Sequence, residues 1–447
     1  MQPDHTMDEK FLSQWGAVRI AALDGHVELE RSTDLSGNRT TPAFVYEKNH
    51  VLVRRDDLND VVRGLVRGVD QEENGRGLDG VAVFKVEEPV ADVIARVRSD
   101  RRVRPDAVTP NHLVSICPVQ LCPADEPVPL PVSGSQEPYP PRTLGTGGLG
   151  VRVEVIDTGL VPGYEVGHEW LADIPEWHEC ISYGPTGTIK EYAGHGTFVT
   201  GVLRCAAPAT EVRSMRVFAY AGATTEDQLG KALLDALKRD PHIISLSAGG
   251  STSDHLPHLA LEPFFTMLTE PGTRTLLVAA AGNDGSTDKF YPAAYAADAP
   301  DAVLSVGALR YDGEGRACFS NHGDWVRVYA LGERHVNAFM SGGYSYVDPQ
   351  QPKLKCRFYP ENRLYGACTC VTTPPQGAVV AFRGMARWSG TSFSTPLVAG
   401  LIATHMSKTG EMDPRTAAKQ VLATTRSITD PDGKAIEALG WGIGADL

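Results

Sequence analysis

Apolar and polar positions along this chain follow two rhythms, and the switches between them mark its organisation. Residues 17–30 alternate with period two about Asp24 and Gly25, which predicts a β-hairpin. His50 to Arg55 reads as a strand. Leu58, Val61, Val62, Leu65 and Val66 then recur at i, i+3, i+4, i+7 and i+8, predicting an amphipathic helix over 56–67. Gly80 to Val86 is a second strand, Val90, Val93, Ile94 and Val97 mark a second helix, and 109–114 close the unit as an extended segment. This order makes a small α+β domain at 41–116, behind an N-terminal extension of residues 1–40.

Between 117 and 150 no apolar period survives. Eight prolines from Pro118 to Pro141, followed by Gly145, Gly147, Gly148 and Gly150, predict an exposed linker. Past Gly150, apolar runs of strand length at 151–156, 242–247, 275–280 and 302–308 alternate with helical spacing. Leu229, Leu233, Leu234 and Leu237 show that spacing on one face. The expected architecture for 151–430 is α/β, a mostly parallel sheet sandwiched by helices, with a last helix at 415–424. Residues 333–387, rich in Gly, Pro, Tyr and Cys, read as an added loop region in which only 378–382 is strand-like. Residues 431–447 read as a C-terminal tail.

Length and charge then narrow the choices. A chain of 447 residues has room for two or three domains. The net charge of −13 argues against nucleic acid or an anionic membrane as a main partner. No apolar run is long enough to span a bilayer, and the first residues lack a basic segment followed by an apolar one. The expectation is a cytoplasmic protein. Its cysteines, Cys117, Cys122, Cys180, Cys205, Cys318, Cys356, Cys368 and Cys370, are then expected to be reduced. Cys356, Cys368 and Cys370 match no standard zinc spacing, so no metal and no cofactor is expected.

Three polar residues stand where a parallel sheet offers ligands, at strand ends and helix starts. Asp157 ends the strand at 151–156, His195 lies in Gly194-His195-Gly196-Thr197, and Ser392 follows Gly390-Thr391. Leu397, Val398, Leu401 and Ile402 give a helix after Ser392, with Pro396 fitting its first turn. Alone, Asp157 reads as a turn residue, His195 as a buried or capping histidine, and Ser392 as a helix cap. Together they supply a nucleophile, its base and the base's orienting carboxylate. Asn283, in Ala281-Gly282-Asn283-Asp284-Gly285, adds an amide for an oxyanion.

These motifs resemble those of the subtilisin-like serine proteases, the subtilase family. The carriers are Val155-Ile156-Asp157-Thr158-Gly159, Gly194-His195-Gly196-Thr197, Ala281-Gly282-Asn283 and Gly390-Thr391-Ser392-Phe393-Ser394-Thr395-Pro396, in the order Asp, His, Ser. The resemblance covers about residues 145–430 and implies a catalytic Asp157, His195 and Ser392, with Asn283 in the oxyanion hole. It implies that a peptide or protein substrate adds as a strand beside Ser247, Ala248 and Gly249. It also implies that Ala280, Ala281 and Gly282 wall the pocket for the residue before the scissile bond. The N-terminal unit resembles the family's ferredoxin-like propeptide, an intramolecular inhibitor. That implies a zymogen that cuts itself between about 113 and 145, unless the unit is a permanent accessory domain for partner recognition.

Two departures stand out. Phe319-Ser320-Asn321-His322-Gly323 is followed by Ala330-Leu331-Gly332, where the family usually has Ala-Pro-Gly. An insertion at about 341–386 lies just before Ser392 and could narrow substrate choice. With the absent signal, this suits a selective processing enzyme. A non-catalytic binding protein on the same fold is the alternative class. An α/β-hydrolase esterase is disfavoured, since Ser392 lacks the second glycine of G-x-S-x-G and the residue order differs.

Overall fold

The computed structural model describes residues 18–23, 26–31, 44–66, 72–73, 75–116, 126–130, 137–139, 141–142, 145–180, 187–219, 221–346, 369 and 378–440. The expected hairpin at 17–30 is not formed. Residues 18–23 are helical (α1), and Leu29–Arg31 (β1) is a strand. Val18 and Ala22 are both buried, an i, i+4 pair on one helical face that also fits an even-numbered alternation. Asp24 and Gly25 lie outside the described residues.

β2 (Val45–Arg54), α2 (Asp60–Leu65), β3 (Val81–Lys85), α3 (Val90–Ser99) and β4 (Val108–Ile116) follow. Residues 55–57 make a tight turn, so α2 begins later than the periodicity predicts. Asn59 caps it, its Oδ1 accepting from the Val61 and Val62 amides at 3.0 and 3.1 Å. β2 pairs antiparallel with β1 and β3 on one edge and with β4 on the other. Val90, Val93, Ile94 and Val97 bury one face of α3 against Val51, Val53, Ala82 and Phe84.

The linker is not wholly exposed. Glu126 and Pro127 are buried, and β5 (Val128–Pro129) is a strand. The larger unit then runs through β6 (Arg152–Asp157), β7 (Glu176–Trp177), α4 (His195–Ala206), β8 (Glu211–Arg216), β9 (Ala223–Thr225) and α5 (Glu226–Leu237). β10 (Ile243–Leu246), β11 (Ala248–Gly249), α6 (Glu262–Thr269), β12 (Leu276–Ala280), β13 (Val303–Leu309) and β14 (Val328–Leu331) come next. β15 (His335–Ser345), β16 (Val379–Trp388), α7 (Thr391–Thr409), α8 (Pro414–Leu422), β17 (Arg426–Thr429) and β18 (Ala435–Ala438) complete it.

Nine strands form one sheet in the order β17-β18-β14-β13-β12-β10-β6-β8-β7, parallel except at β17–β18. Both faces are covered. Val153, Val155, Leu276 and Val278 point to the layer of α4 and α7, whereas Ile156, Leu277 and Ala279 point to that of α5 and α6. Period-two alternation between two apolar faces is why these strands read as continuous hydrophobic runs. The sheet also passes the expected boundary at 430, because β18 lies parallel to β14, so Ala435–Ala438 of the segment read as a tail belong to it.

The region read as a loop at 333–387 is framed by two long strands. β15 and β16 pair antiparallel from His335–Trp388 to Ser345–Val379, and β5 joins β16 on its other edge. Residues 347–368 and 370–377, including Cys356, Cys368 and Cys370, lie outside the described residues.

Candidate active site

Asp157 stands at the carboxyl end of β6, third strand from the β7 edge of the sheet, with no exposed surface. Its Oδ1 accepts from the Thr158 amide at 2.7 Å and from His195 Nδ1 at 2.8 Å. Donation from Nδ1 leaves Nε2 with the lone pair, the tautomer a general base needs. His195 opens α4 behind Gly194, which takes φ +80°. Gly196 then passes so close to β6 that a Cβ there would lie 2.4 Å from the Gly159 carbonyl and 3.2 Å from Asp157 Oδ1. The glycine flanking His195 is thus a steric condition for the Asp157–His195 bond. Trp388 packs perpendicular to the imidazole at 5.2 Å and Phe393 packs tilted at 5.5 Å, walling the ring with apolar surface.

Ser392 is the second residue of α7, after Gly390 and Thr391. Pro396 is not in the first turn, as its spacing suggested, but sixth in the helix. Lacking an N–H, it cannot bond the carbonyl four residues back, which is that of Ser392. Ser247 Oγ takes the vacancy, donating to the Ser392 carbonyl at 2.8 Å. Ser392 Oγ in turn donates to the Ser247 carbonyl at 3.4 Å, and among the described residues no hydrogen bond joins it to His195. The Asp157–His195 bond is therefore made, and a His195–Ser392 bond is not.

Asn283, just past β12, is oriented by Thr391, whose amide and hydroxyl both donate to Asn283 Oδ1 at 2.9 Å. Its amide nitrogen faces Gly390, 3.5 Å from where a Cβ there would sit. Ala280, Ala281 and Gly282 run beside this pair. The Gly282 amide donates to Thr391 Oγ1 at 3.2 Å, and Asn321 holds the Ala281 carbonyl at 2.9 Å and that of Gly282 at 2.9 Å. Thr391, Asn321 and Trp388 were not singled out from sequence. Asn321 belongs to the Phe319–Gly323 segment, and nothing in that segment says which loop it braces.

Ala248 and Gly249 form β11, and β11 is already paired. Ile116 lies opposite Ala248 and Ser115 opposite Gly249, antiparallel. On the other edge β4 pairs with β9, and the Ile116 amide donates to the Gly222 carbonyl at 2.8 Å. Val114 and Ile116 are buried in one apolar cluster with Phe218, Leu246 and Ala248. Around this strand, Asn111 Nδ2 donates to Asp227 at 2.9 Å, Arg76 pairs with Asp227 at 2.9 Å, and Arg54 pairs with Glu262. Basic side chains of the small unit meet carboxylates of the large one.

Near the site, burial holds His335 down to about 4. Burial pushes the Cys205 thiol up to about 12, so it is no rival nucleophile.

The sequence profile of the subtilase family matches residues 148–442. The chain belongs to the subtilase family. Among curated relatives, this subtilase is 27% identical over 211 residues to the thermostable alkaline protease of Halalkalibacterium halodurans, covering 44% of this chain and 52% of the relative. It is 28% identical over 220 residues to the intracellular serine protease of Paenibacillus polymyxa, covering 45% and 62%. The subtilase therefore spans only about half to three-fifths of these relatives' length. Fervidolysin from Fervidobacterium pennivorans, described as a keratinolytic enzyme related to subtilisin, superposes with a TM-score of 0.56 at 17% identity. That match covers 90% of this chain and 61% of fervidolysin, and at such identity it bears on the fold alone.

Proposed function

We propose that this subtilase is a serine endopeptidase working through an acyl-enzyme. In this reading Ser392 Oγ attacks the scissile carbonyl as His195 Nε2 takes its proton, and Asp157 stabilises the imidazolium. The Asn283 amide donates to the oxyanion, and Ala280, Ala281 and Gly282 line the pocket for the residue before the cut. His195 then protonates the leaving amine, and a water activated by the same base releases the acyl group. The observation that supports this most is the 2.8 Å bond from His195 Nδ1 to Asp157.

The small unit is the enzyme's own inhibitor in this reading, with β4 held where a peptide substrate would add to β11. Its Val114 and Ile116, buried at alternate positions, give the expected preference: aliphatic side chains two residues apart. The ladder runs from Gly249 toward Ser247, whose carbonyl receives Ser392 Oγ, so self-cleavage is expected within 117–125. Intact-mass measurement tests this: the wild-type chain should shorten to a form beginning in that window, and Ser392→Ala should stay whole. A wild type of unchanged mass would favour the second reading, a non-catalytic protein kept shut by the same strand.

A further inference from the structure

A second buried cluster joins the two units away from the triad. His112 on β4, Glu226 at the start of α5 and His258 ahead of α6 each present a ligand atom, all within 4.8 Å of one another. The three side chains are 0–2% exposed. Two of them are satisfied. His112 Nδ1 donates to Glu226 Oε2 at 2.6 Å and His112 Nε2 accepts from the Ser253 amide at 3.1 Å, while Glu226 Oε1 accepts from the Ala260 amide at 2.8 Å. His258 is not. Among the described residues neither of its ring nitrogens has a partner, although the ring is fully buried. A neutral imidazole offers one donor and one lone pair, and folds rarely bury both unused.

We propose that His112, Glu226 and His258 bind one divalent transition-metal ion of the zinc class at the seam between the two units. Two imidazoles and a carboxylate are a donor set that Zn²⁺ accepts, with a fourth position for water. The ion takes the place of the His112 Nδ1 proton beside Glu226. That proton moves to Nε2, and the Ser253 amide contact gives way. His258, which now bonds to nothing, gains a partner. No single unit holds the set: His112 belongs to the small unit, Glu226 and His258 to the large one. The ion therefore enters as the units dock, and it pins β4 four residues before Ile116.

The test uses the full chain carrying Ser392→Ala, which keeps both units joined whether or not the wild type cuts itself. After stripping with a chelator and equilibrium dialysis against zinc chloride, elemental analysis should find one zinc per chain, with a raised Tm. His258→Phe keeps the ring's volume against His112 and Tyr291 but removes both nitrogens. Glu226→Gln keeps one acceptor oxygen for the Ala260 amide but removes the charge. Each should weaken zinc binding by more than the roughly 10–100-fold typical of outer-shell partners. No stoichiometric zinc in the parent, or equal zinc in His258→Phe, overturns the proposal. Should His258→Phe fail to fold, equal zinc in Glu226→Gln does so instead.

Discussion

Ile116 sits directly opposite Ala248 in an antiparallel ladder, and its amide donates to the Gly222 carbonyl at 2.8 Å. One residue of the small unit thus lies between β11 and the segment leading into β9, with a side chain only 1% exposed. If this is the substrate groove, a peptide of residues 108–116 should competitively inhibit the processed enzyme. Full burial of such a side chain is worth about 1.5–3 kcal/mol. The Ile116→Asp peptide should therefore inhibit about 10–100-fold more weakly. Equal inhibition by both peptides would remove the groove from the account.

Gly196 gives a sharper steric prediction. A methyl group there meets the Gly159 carbonyl at 2.4 Å and crowds Asp157 Oδ1 at 3.2 Å. Gly196→Ala should cost about 1–3 kcal/mol of stability from overpacking. It should also lower kcat at least about tenfold, since a misoriented imidazole is a defect of the transition state. KM should move little. Steady-state kinetics with a thermal scan checks both; an unperturbed kcat would mean that the α4–β6 approach does not set the His195 geometry.

Asp157, His195 and Ser392 stand out in the sequence because each brings its own local reason: a strand end, a place between glycines, a helix start. What could not be read was anything decided by partners distant in sequence. Ser247 was assigned to the substrate strand, yet its hydroxyl also fills the bond that Pro396 leaves open. That role needs both residues at once. β15, and β16 beyond Phe382, are not legible because Gly342, Gly343 and Gly384 interrupt runs whose paired residues are 34 or more positions apart. The helix at 18–23 is ambiguous in the sequence because Val18 and Ala22 satisfy both rhythms in so short a window. Strands covered on both faces, such as β12, were the easiest to find.

Ser247→Ala tests the Pro396 relationship. Removing the hydroxyl leaves the Ser392 carbonyl, inside a buried helix, without its 2.8 Å donor. A buried acceptor left alone costs about 1–3 kcal/mol. The expected result is a Tm lowered by that equivalent and a reduced kcat, because the strain falls on the peptide unit of Ser392, the proposed nucleophile. Ser247→Thr, which restores a hydroxyl, should recover much of both. A Ser247→Ala variant with wild-type Tm and kcat would contradict the arrangement.

His335 predicts an acid-side loss of stability. Burial holds it at about 4 in the folded chain against an ordinary 6.5, while Nε2 donates to the Leu331 carbonyl at 2.8 Å. Between those values the unfolded chain binds the proton and the folded chain does not. Stability is therefore full above pH 6.5 and falls as the pH drops toward 4, by roughly 3 kcal/mol at most. His335→Gln keeps a donor for Leu331 and removes the titration. Its denaturation midpoint should decline less steeply than the wild type's between pH 6.5 and 4; parallel profiles would exclude His335 as a source.

The central claim is that Ser392 is a nucleophile activated by His195 and Asp157. The direct measurement is labelling by a fluorophosphonate after the small unit has been removed, compared among wild type, Ser392→Ala and Asp157→Asn. The account predicts one adduct on the wild-type chain, mapped to Ser392 by peptide mass, and none on Ser392→Ala. Labelling of Asp157→Asn should be slower by several orders of magnitude, near the roughly 10⁴-fold that the wrong tautomer costs in the Ser-His-Asp template. A wild-type chain that stays unlabelled with its groove open, or that labels equally well without Ser392, would contradict it.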